Sequence, residues 1–212
     1  FRQQMLSAQV ERIDAVLYTH PHADHVHGID DLRGFALSQR EQIPVYADYQ
    51  TQDRLIEGFN YCFAGGQFNM YPPILQMNTL ATNVATSVSG EGGAIHILPV
   101  LQTHGPIHSL GFRFSMDENL QSGGLCYSSD VSAIPQESLP LLQALDVWIL
   151  DALQYKPHIS HFSVSEALEI TQKLLPTRAI LTHLHIPLDY ETLRSELPGN
   201  IEPAFDGMVI EL

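Results

Sequence analysis

The sequence predicts an α+β fold: two sheets packed together with helices outside, in a single domain over residues 1–212. Three observations carry that reading. Short apolar, strand-like segments alternate with helix-like ones as βα units, while others follow one another as hairpins. Ligand-type side chains recur at the ends of those strands, where a layered fold can gather them at one sheet edge. The chain has 212 residues, enough to bury a sizeable core, and no repeat or linker interrupts it.

Residues 1–10 read as a short helix with Phe1, Met5 and Leu6 on its apolar side. Ile13–Tyr18 reads as a buried strand, and a histidine-rich loop follows it. From about Val26 to Leu37 the spacing of Ile29, Leu32, Phe35 and Ala36 predicts a helix ending near Arg40. Pro44–Ala47 is a short strand. Gln50–Phe63 is helical with Leu55, Ile56 and Phe59 inward, and Gly65-Gly66 breaks it. Residues 66–92, with Pro72-Pro73, are expected to be loop with short strands, a lid or pocket wall.

Ala94–Leu101 alternates as a strand that delivers Thr103-His104. Leu110–Met116 and Gly124–Ser128 form a hairpin around residues 117–123, and Asp130 closes it. Pro135–Leu145 is read as helical and Asp146–Asp151 as a buried strand. Ser163 and Glu166 make a capping box for a helix to about Leu175. Arg178–Thr182 is a strand ending at His183. A helix over Tyr190–Glu196 and a strand over Met208–Leu212 complete the reading.

The densest chemistry lies in Thr19-His20-Pro21-His22-Ala23-Asp24-His25. Two histidines one residue apart in extended backbone point the same way and can grip one ion. A turn then brings Asp24 and His25 beside them. Imidazole and carboxylate donors suit zinc, and also manganese or iron. His104, Asp130, His161 and His183 each stand at or just beyond a strand end, a setting that Asp151 and His158 share.

Composition narrows the partners. The formal net charge is −14 with ten Lys and Arg, so a free phosphate backbone is repelled and large nucleic acids are disfavoured. Cys62 and Cys126 are the only cysteines, which provides no disulfide framework and fits a reducing, cytoplasmic setting. No apolar run suits a membrane span. The chain opens at Phe1 rather than Met, so the natural start is expected to lie ahead of it, where a targeting segment could have been lost.

With these residues in view, the chain resembles the metallo-β-lactamase superfamily. The resemblance rests on the His20-x-His22-x-Asp24-His25 motif with His104, Asp130 and His183, and covers nearly the whole chain. It implies a four-layer αβ/βα sandwich with a binuclear metal site. On it, His20, His22 and His104 would bind one ion, Asp24, His25 and His183 a second, and Asp130 both. The cofactors implied are two divalent ions, Zn or Mn. The family has strands ahead of the opening motif, so N-terminal strands are expected to be missing here.

An aspartate at position 130, where true β-lactamases usually carry cysteine, turns the resemblance toward phosphodiester or thioester hydrolases. Asp151-Ala152-Leu153, Pro157–His161, Leu181–His185 and Ser109–Arg113 resemble the group around phosphoribosyl cyclic phosphate phosphodiesterase, and the Gly105–Arg113 stretch also ribonuclease Z. The implied reaction is attack on a small phosphate ester, cyclic or nucleotide-like, by a metal-bridging hydroxide. His161 would protonate the leaving oxygen, with Asp24 acting on the nucleophile side. His158 and His185 are candidate substrate contacts. Tyr127, Arg113 and Lys156 are weaker ones, and Asp151 either supports a ligating histidine or caps its strand. Cys62 and Cys126 are not expected to hold a structural zinc. Competing readings are a ribonuclease Z-like endonuclease, a thioester or lactone hydrolase, and a non-catalytic metal-binding module. A homodimer is one assembly open to it.

Overall fold

A computed structural model describes residues 1–64, 71–120 and 123–212. The expected Gly65-Gly66 break, residues 66–70 of the expected loop and residues 121–122 of the hairpin loop lie outside the described residues. The chain divides into two compact units, one of residues 1–81 and 88–93, the other of residues 82–87 and 94–212.

In the first unit, β1 (Val16–Leu17), β2 (Ile43–Ala47) and β3 (Leu75–Thr79) form a parallel sheet in that order. Ile43, Val45 and Ala47 alternate into the core, the period-two pattern of a half-buried strand. β1 is shorter than the sequence suggests. The Gln39 side chain bonds both the N–H and the carbonyl of Ile13, at 2.9 and 3.0 Å, taking the groups a longer strand would use.

The helix expected from Val26 starts earlier and is broken. α2 (Ala23–Val26) leads through a 3-10 turn over His27–Asp31 into α3 (Leu32–Gln39), which follows α1 (Arg2–Ser7) in the chain. Arg40, at φ 58°, ends α3 in the left-handed region. α4 (Tyr49–Phe63) is capped by Asp48, whose carboxylate accepts from Thr51 N at 2.9 Å. Thr51, Leu55 and Cys62 form its buried face. Ile56 lies a helical step away from that stripe and is 41% exposed, contrary to expectation. The unit's core joins Tyr18, Val26, Ile29 and Leu32 to Val45 and Leu55.

The other sheet has the order β10-β9-β8-β7-β6-β5-β4. Its strands are β4 (Thr86–Gly90), β5 (Gly93–His104), β6 (Ile107–Ser115), β7 (Leu125–Ser128), β8 (Val147–Asp151), β9 (Arg178–Thr182) and β10 (Ile201–Pro203). β5 pairs antiparallel with β6, and β6 antiparallel with β7, the expected hairpin. β7, β8, β9 and β10 then run parallel. Two reversals restore direction, so β5 points the same way as β7 to β10, and their C-terminal ends emerge at one edge. α5 (Val164–Leu174) carries the expected capping box, and α6 (Tyr190–Glu196) matches its predicted bounds. Trp148, Leu150, Leu181 and Leu193 anchor this unit's core.

Two expectations fail here. Pro135–Leu145 forms only a 3-10 turn, Leu139–Leu142. Arg113 explains this: its buried guanidinium donates to the carbonyls of Leu141, Gln143 and Gly123, at 2.8, 3.2 and 3.0 Å. Those carbonyls are thereby withdrawn from a helix, and Arg113 is a structural side chain rather than a substrate contact. The terminal strand is Ile201–Pro203, paired with Ala179–Leu181, rather than Met208–Leu212. Ile201 and Pro203 are buried there, whereas Val209 is exposed after the turn at Gly207.

Candidate metal centre

In the first unit the His20–His25 stretch folds as a tight group of imidazoles. His20 is fully buried just beyond β1, and His22 caps α2 from an extended backbone. Their facing nitrogens, His20 Nε2 and His22 Nδ1, are 3.1 Å apart. Two nitrogens sharing a tetrahedral zinc would stand about 3.3 Å apart, so the pair fits a common ion. Thr19 Oγ1 lies 3.0 Å from His20 Nδ1 and 3.4 Å from His25 Nδ1, orienting both rings through their rear nitrogens. Asp24 and His25 stand in α2 rather than on a turn, with Asp24 Oδ2 3.5 Å from His25 Nε2. The Asp24 side chain is 70% exposed.

The second unit gathers its group at the C-terminal edge of the parallel strands. His104 ends β5, Asp130 follows β7, Asp151 ends β8 and His183 follows β9. Strand ends are where an open sheet leaves side chains free to converge. His104 donates from Nδ1 to the Ser160 carbonyl at 2.7 Å, which turns Nε2 toward Asp130 Oδ2 at 3.6 Å. His161 donates from Nδ1 to Asp151 Oδ2 at 2.7 Å, and its Nε2 lies 4.0 Å from Asp130 Oδ2. His183 Nδ1 is 3.6 Å from Asp130 Oδ1 and 3.4 Å from Asp151 Oδ1.

Ligand atoms of His104, Asp130 and His161 lie within 4.8 Å of one another, as do those of Asp151, His161 and His183. Nitrogen and carboxylate donors this close, with the rear nitrogens of His104 and His161 already oriented, fit a divalent ion. Asp130 and His183 both hold positive φ, 52° and 61°. Such backbone is unfavourable for residues with a Cβ and concentrates at functional positions. It is held here by Ser109 Oγ, which donates to the Asp130 carbonyl at 2.7 Å, and by Val131 N, which donates to Asp151 Oδ2 at 2.9 Å.

The candidate substrate contacts sit further out. His158 is exposed, its ring 5.2 Å from that of His161 and its Nδ1 accepting from Ser160 N at 3.3 Å. His185 is exposed, and its backbone N–H is used by the Leu153 carbonyl. Asp151 accepts both from His161, the expected acid rather than an expected ligand, and from the backbone N–H of Val131. Sequence reading assigned no role to Thr19, Ser109 or Ser160. Thr19 adjoins the motif and could have been singled out, whereas the Ser160 carbonyl leaves no mark in a sequence.

The strand-end imidazoles and carboxylates of this mixed sheet are groups that could hold a metal ion. The family model described as a beta-lactamase superfamily domain matches residues 1–184, and the chain belongs to that family. Its fold is the metallo-β-lactamase fold, and most of its members are hydrolases. The chain is 31% identical to a solved diphosphatase from the PhnP family, with a TM-score of 0.85 over 100% of this chain and 76% of that one. It shares its fold with the short form of human tRNase Z, at 20% identity and a TM-score of 0.67, covering 99% of this chain and 84% of that one. It is also 30% identical to the octanoyltransferase of Porphyromonas gingivalis, over 98% of this chain and 40% of that protein. The chain thus spans about two fifths of the length of that curated relative. Among the described residues no helix is long and apolar enough to cross a membrane.

Proposed function

We propose that the chain is a metal-dependent phosphodiesterase for a small phosphate ester, cyclic or nucleotide-like. One observation carries this reading: fully buried Asp151 fixes His161 through Nδ1 and turns its Nε2 toward Asp130. A histidine held by one nitrogen at the border of a metal-ligand group suits a general acid, a role worth about a hundredfold to ten-thousandfold. The diphosphatase relative supports phosphate esters as the substrate class.

On this reading His20, His22, Asp24, His25, His104, Asp130 and His183 hold two divalent ions, Zn or Mn. Bound ions supply Lewis acidity and an activated water. The chain's own residues do the rest. Asp151 and the Ser160 carbonyl fix the ring orientations of His161 and His104, and in its doubly protonated form His161 gives the Nε2 proton to the departing oxygen while Nδ1–H stays on Asp151. Asp24 assists on the nucleophile side, and His158 and His185 reach substrate. The reading further takes residues 1–212 as one cytoplasmic domain acting on a small molecule, without large nucleic acid or membrane, alone or as a homodimer.

A second reading is favoured by a separate observation. The octanoyltransferase relative is named for acyl transfer, which keeps a thioester substrate open. There His161 need not donate a proton, because a thiolate leaves without one more readily than an alkoxide. The test is a panel of a model phosphodiester, a ribose cyclic phosphate, a thioester, a lactam and precursor tRNA, assayed with metal-loaded protein and with His161→Ala. Phosphodiester turnover that falls at least a hundredfold in His161→Ala, with metal content unchanged, is expected. Full activity in that variant, or thioester turnover alone, would overturn the assignment. Less than one ion per chain under metal-replete conditions would remove the binuclear site.

A further inference from the structure

Behind the candidate metal group of the second unit runs a line of buried polar side chains that the proposed reaction does not use. Gln102 on β5, Ser128 on β7 and Trp148 on β8 are each fully buried. Gln102 Nε2 donates to Ser128 Oγ at 2.6 Å, and Trp148 Nε1 donates to the same oxygen at 3.0 Å. A hydroxyl oxygen has two lone pairs and one proton, so both acceptor positions of Ser128 are taken. Cys126 Sγ lies 3.6 Å away, within reach of the hydroxyl proton.

The line crosses a strand to do this. β6 stands between β5 and β7, and Gln102 passes over it at Gly111. A Cβ at position 111 would collide with Gln102 Nε2 and lie 3.1 Å from Ser128 Oγ. The register connects the line to the sheet edge. Gln102 precedes His104 by two residues on the same face of β5, and Ser128 precedes Asp130 by two. Gln102 is also paired with Ser109, whose Oγ donates to the Asp130 carbonyl at 2.7 Å.

Apolar side chains would fill this space at less cost. Gln102 Oε1 is buried without a hydrogen-bond partner among the described residues, which works against stability. Apolar contact is non-directional and tolerates small slides between strands. Hydrogen bonds of set length and direction do not, and a buried network of them specifies one arrangement. Here they fix the offset of β5 against β7 across the intervening strand, and with it the offset of His104 against Asp130.

We propose that Ser128, held by Gln102 and Trp148, is a positioning residue that sets the spacing of His104 and Asp130 for a divalent ion. This rests on the metal group of the proposed function, and it adds the part of the scaffold that tunes that group from behind.

The test sets metal binding against stability. Gln102→Met keeps the bulk, removes the unpaired carbonyl and cuts the line, whereas Ser128→Ala removes its centre. Zinc affinity is read by competition with a chelator, coordination geometry by the visible absorption of the cobalt-loaded protein, and stability by melting of the metal-free protein. Gln102→Met is expected to melt at or above the parent temperature, yet to bind zinc about tenfold more weakly and with altered cobalt bands. Ser128→Ala should weaken zinc binding at least as much, and Gln102→Met decides the matter if that variant does not fold. A line that serves stability alone would make melting and affinity fall together. Parent-like zinc affinity and cobalt bands in Gln102→Met, or a melting temperature well below the parent's, overturns the proposal. A parent protein that binds zinc but turns over no phosphodiester leaves the positioning role standing and removes the reaction. A parent that binds no zinc overturns both.

Discussion

Asp151 illustrates how one buried side chain can serve two neighbours. Its Oδ2 accepts from His161 Nδ1 and from Val131 N, and so fixes an imidazole and the loop after Asp130 together. Asp151→Asn keeps the shape but replaces one acceptor oxygen with a donor group. We expect kcat on a phosphodiester to fall at least tenfold, with KM and metal content little changed, as steady-state kinetics and metal analysis would show. Asp130 poses the opposite trade. Its left-handed backbone, φ 52°, costs about 1–2 kcal/mol for a residue with a Cβ. Asp130→Gly should therefore raise the unfolding free energy of the metal-free protein by about 1 kcal/mol while lowering bound metal, a stability gain bought at a functional position. Denaturant titration and metal analysis on one preparation read both signs. Gly105 is held at φ 57°, and a Cβ there would lie 2.9 Å from Ser160 Cβ. Ser160 supplies the carbonyl that orients His104, so the absence of a side chain at 105 protects the contact that holds this histidine.

At the scale of elements, α5 shows where local sequence suffices. Ser163 accepts from Glu166 N while the Glu166 carboxylate accepts from Ser163 N at 2.8 Å, a reciprocal cap complete within four residues. Ser163→Ala should cost about 0.5–2 kcal/mol of stability, read by chemical denaturation. The segment before β8 shows the reverse. Its apolar spacing suggests a helix, but Arg113 on β6 takes its carbonyls and leaves only a 3-10 turn. Burial lowers the Arg113 pKa, and the three carbonyls offset part of the cost of its charge. Expected from Arg113→Met is a loss of at least about 2 kcal/mol, since Leu141, Gln143 and Gly123 carbonyls would lose their donors.

For the molecule as a whole, the two thiols report on the fold. Cys62 and Cys126 are fully buried in separate cores, and burial pushes their pKa values up to about 11 and about 12. Raised folded values mean that the native state favours the neutral thiol. Their contribution to stability is therefore whole below the ordinary value of 9.0 and is lost as pH rises toward 11 and 12. We expect neither cysteine to react with a thiol reagent at pH 8 until the chain unfolds, and the unfolding free energy to decline above about pH 9. Fast labelling of the native protein at pH 8 would contradict this. Net charge acts at the same scale: a formal −14 works against the approach of a polyanion.

The sequence by itself determined the imidazole and carboxylate groups of the candidate site and most of the elements that carry them. The reason is that short-range patterns suffice there. Clustered imidazoles in His20–His25, the Ser163–Glu166 box and the apolar runs of β8 and β9 are complete within a few residues. Tertiary structure decided what depends on partners far along the chain. Gln39 shortened β1, Arg113 dissolved a helix, and the pairing of β10 with β9 moved the last strand to Ile201–Pro203. It also decided which nitrogen of His104 and of His161 faces inward, because that follows from the Ser160 carbonyl and from Asp151. A hydrogen bond between residues 104 and 160 leaves no periodicity to read.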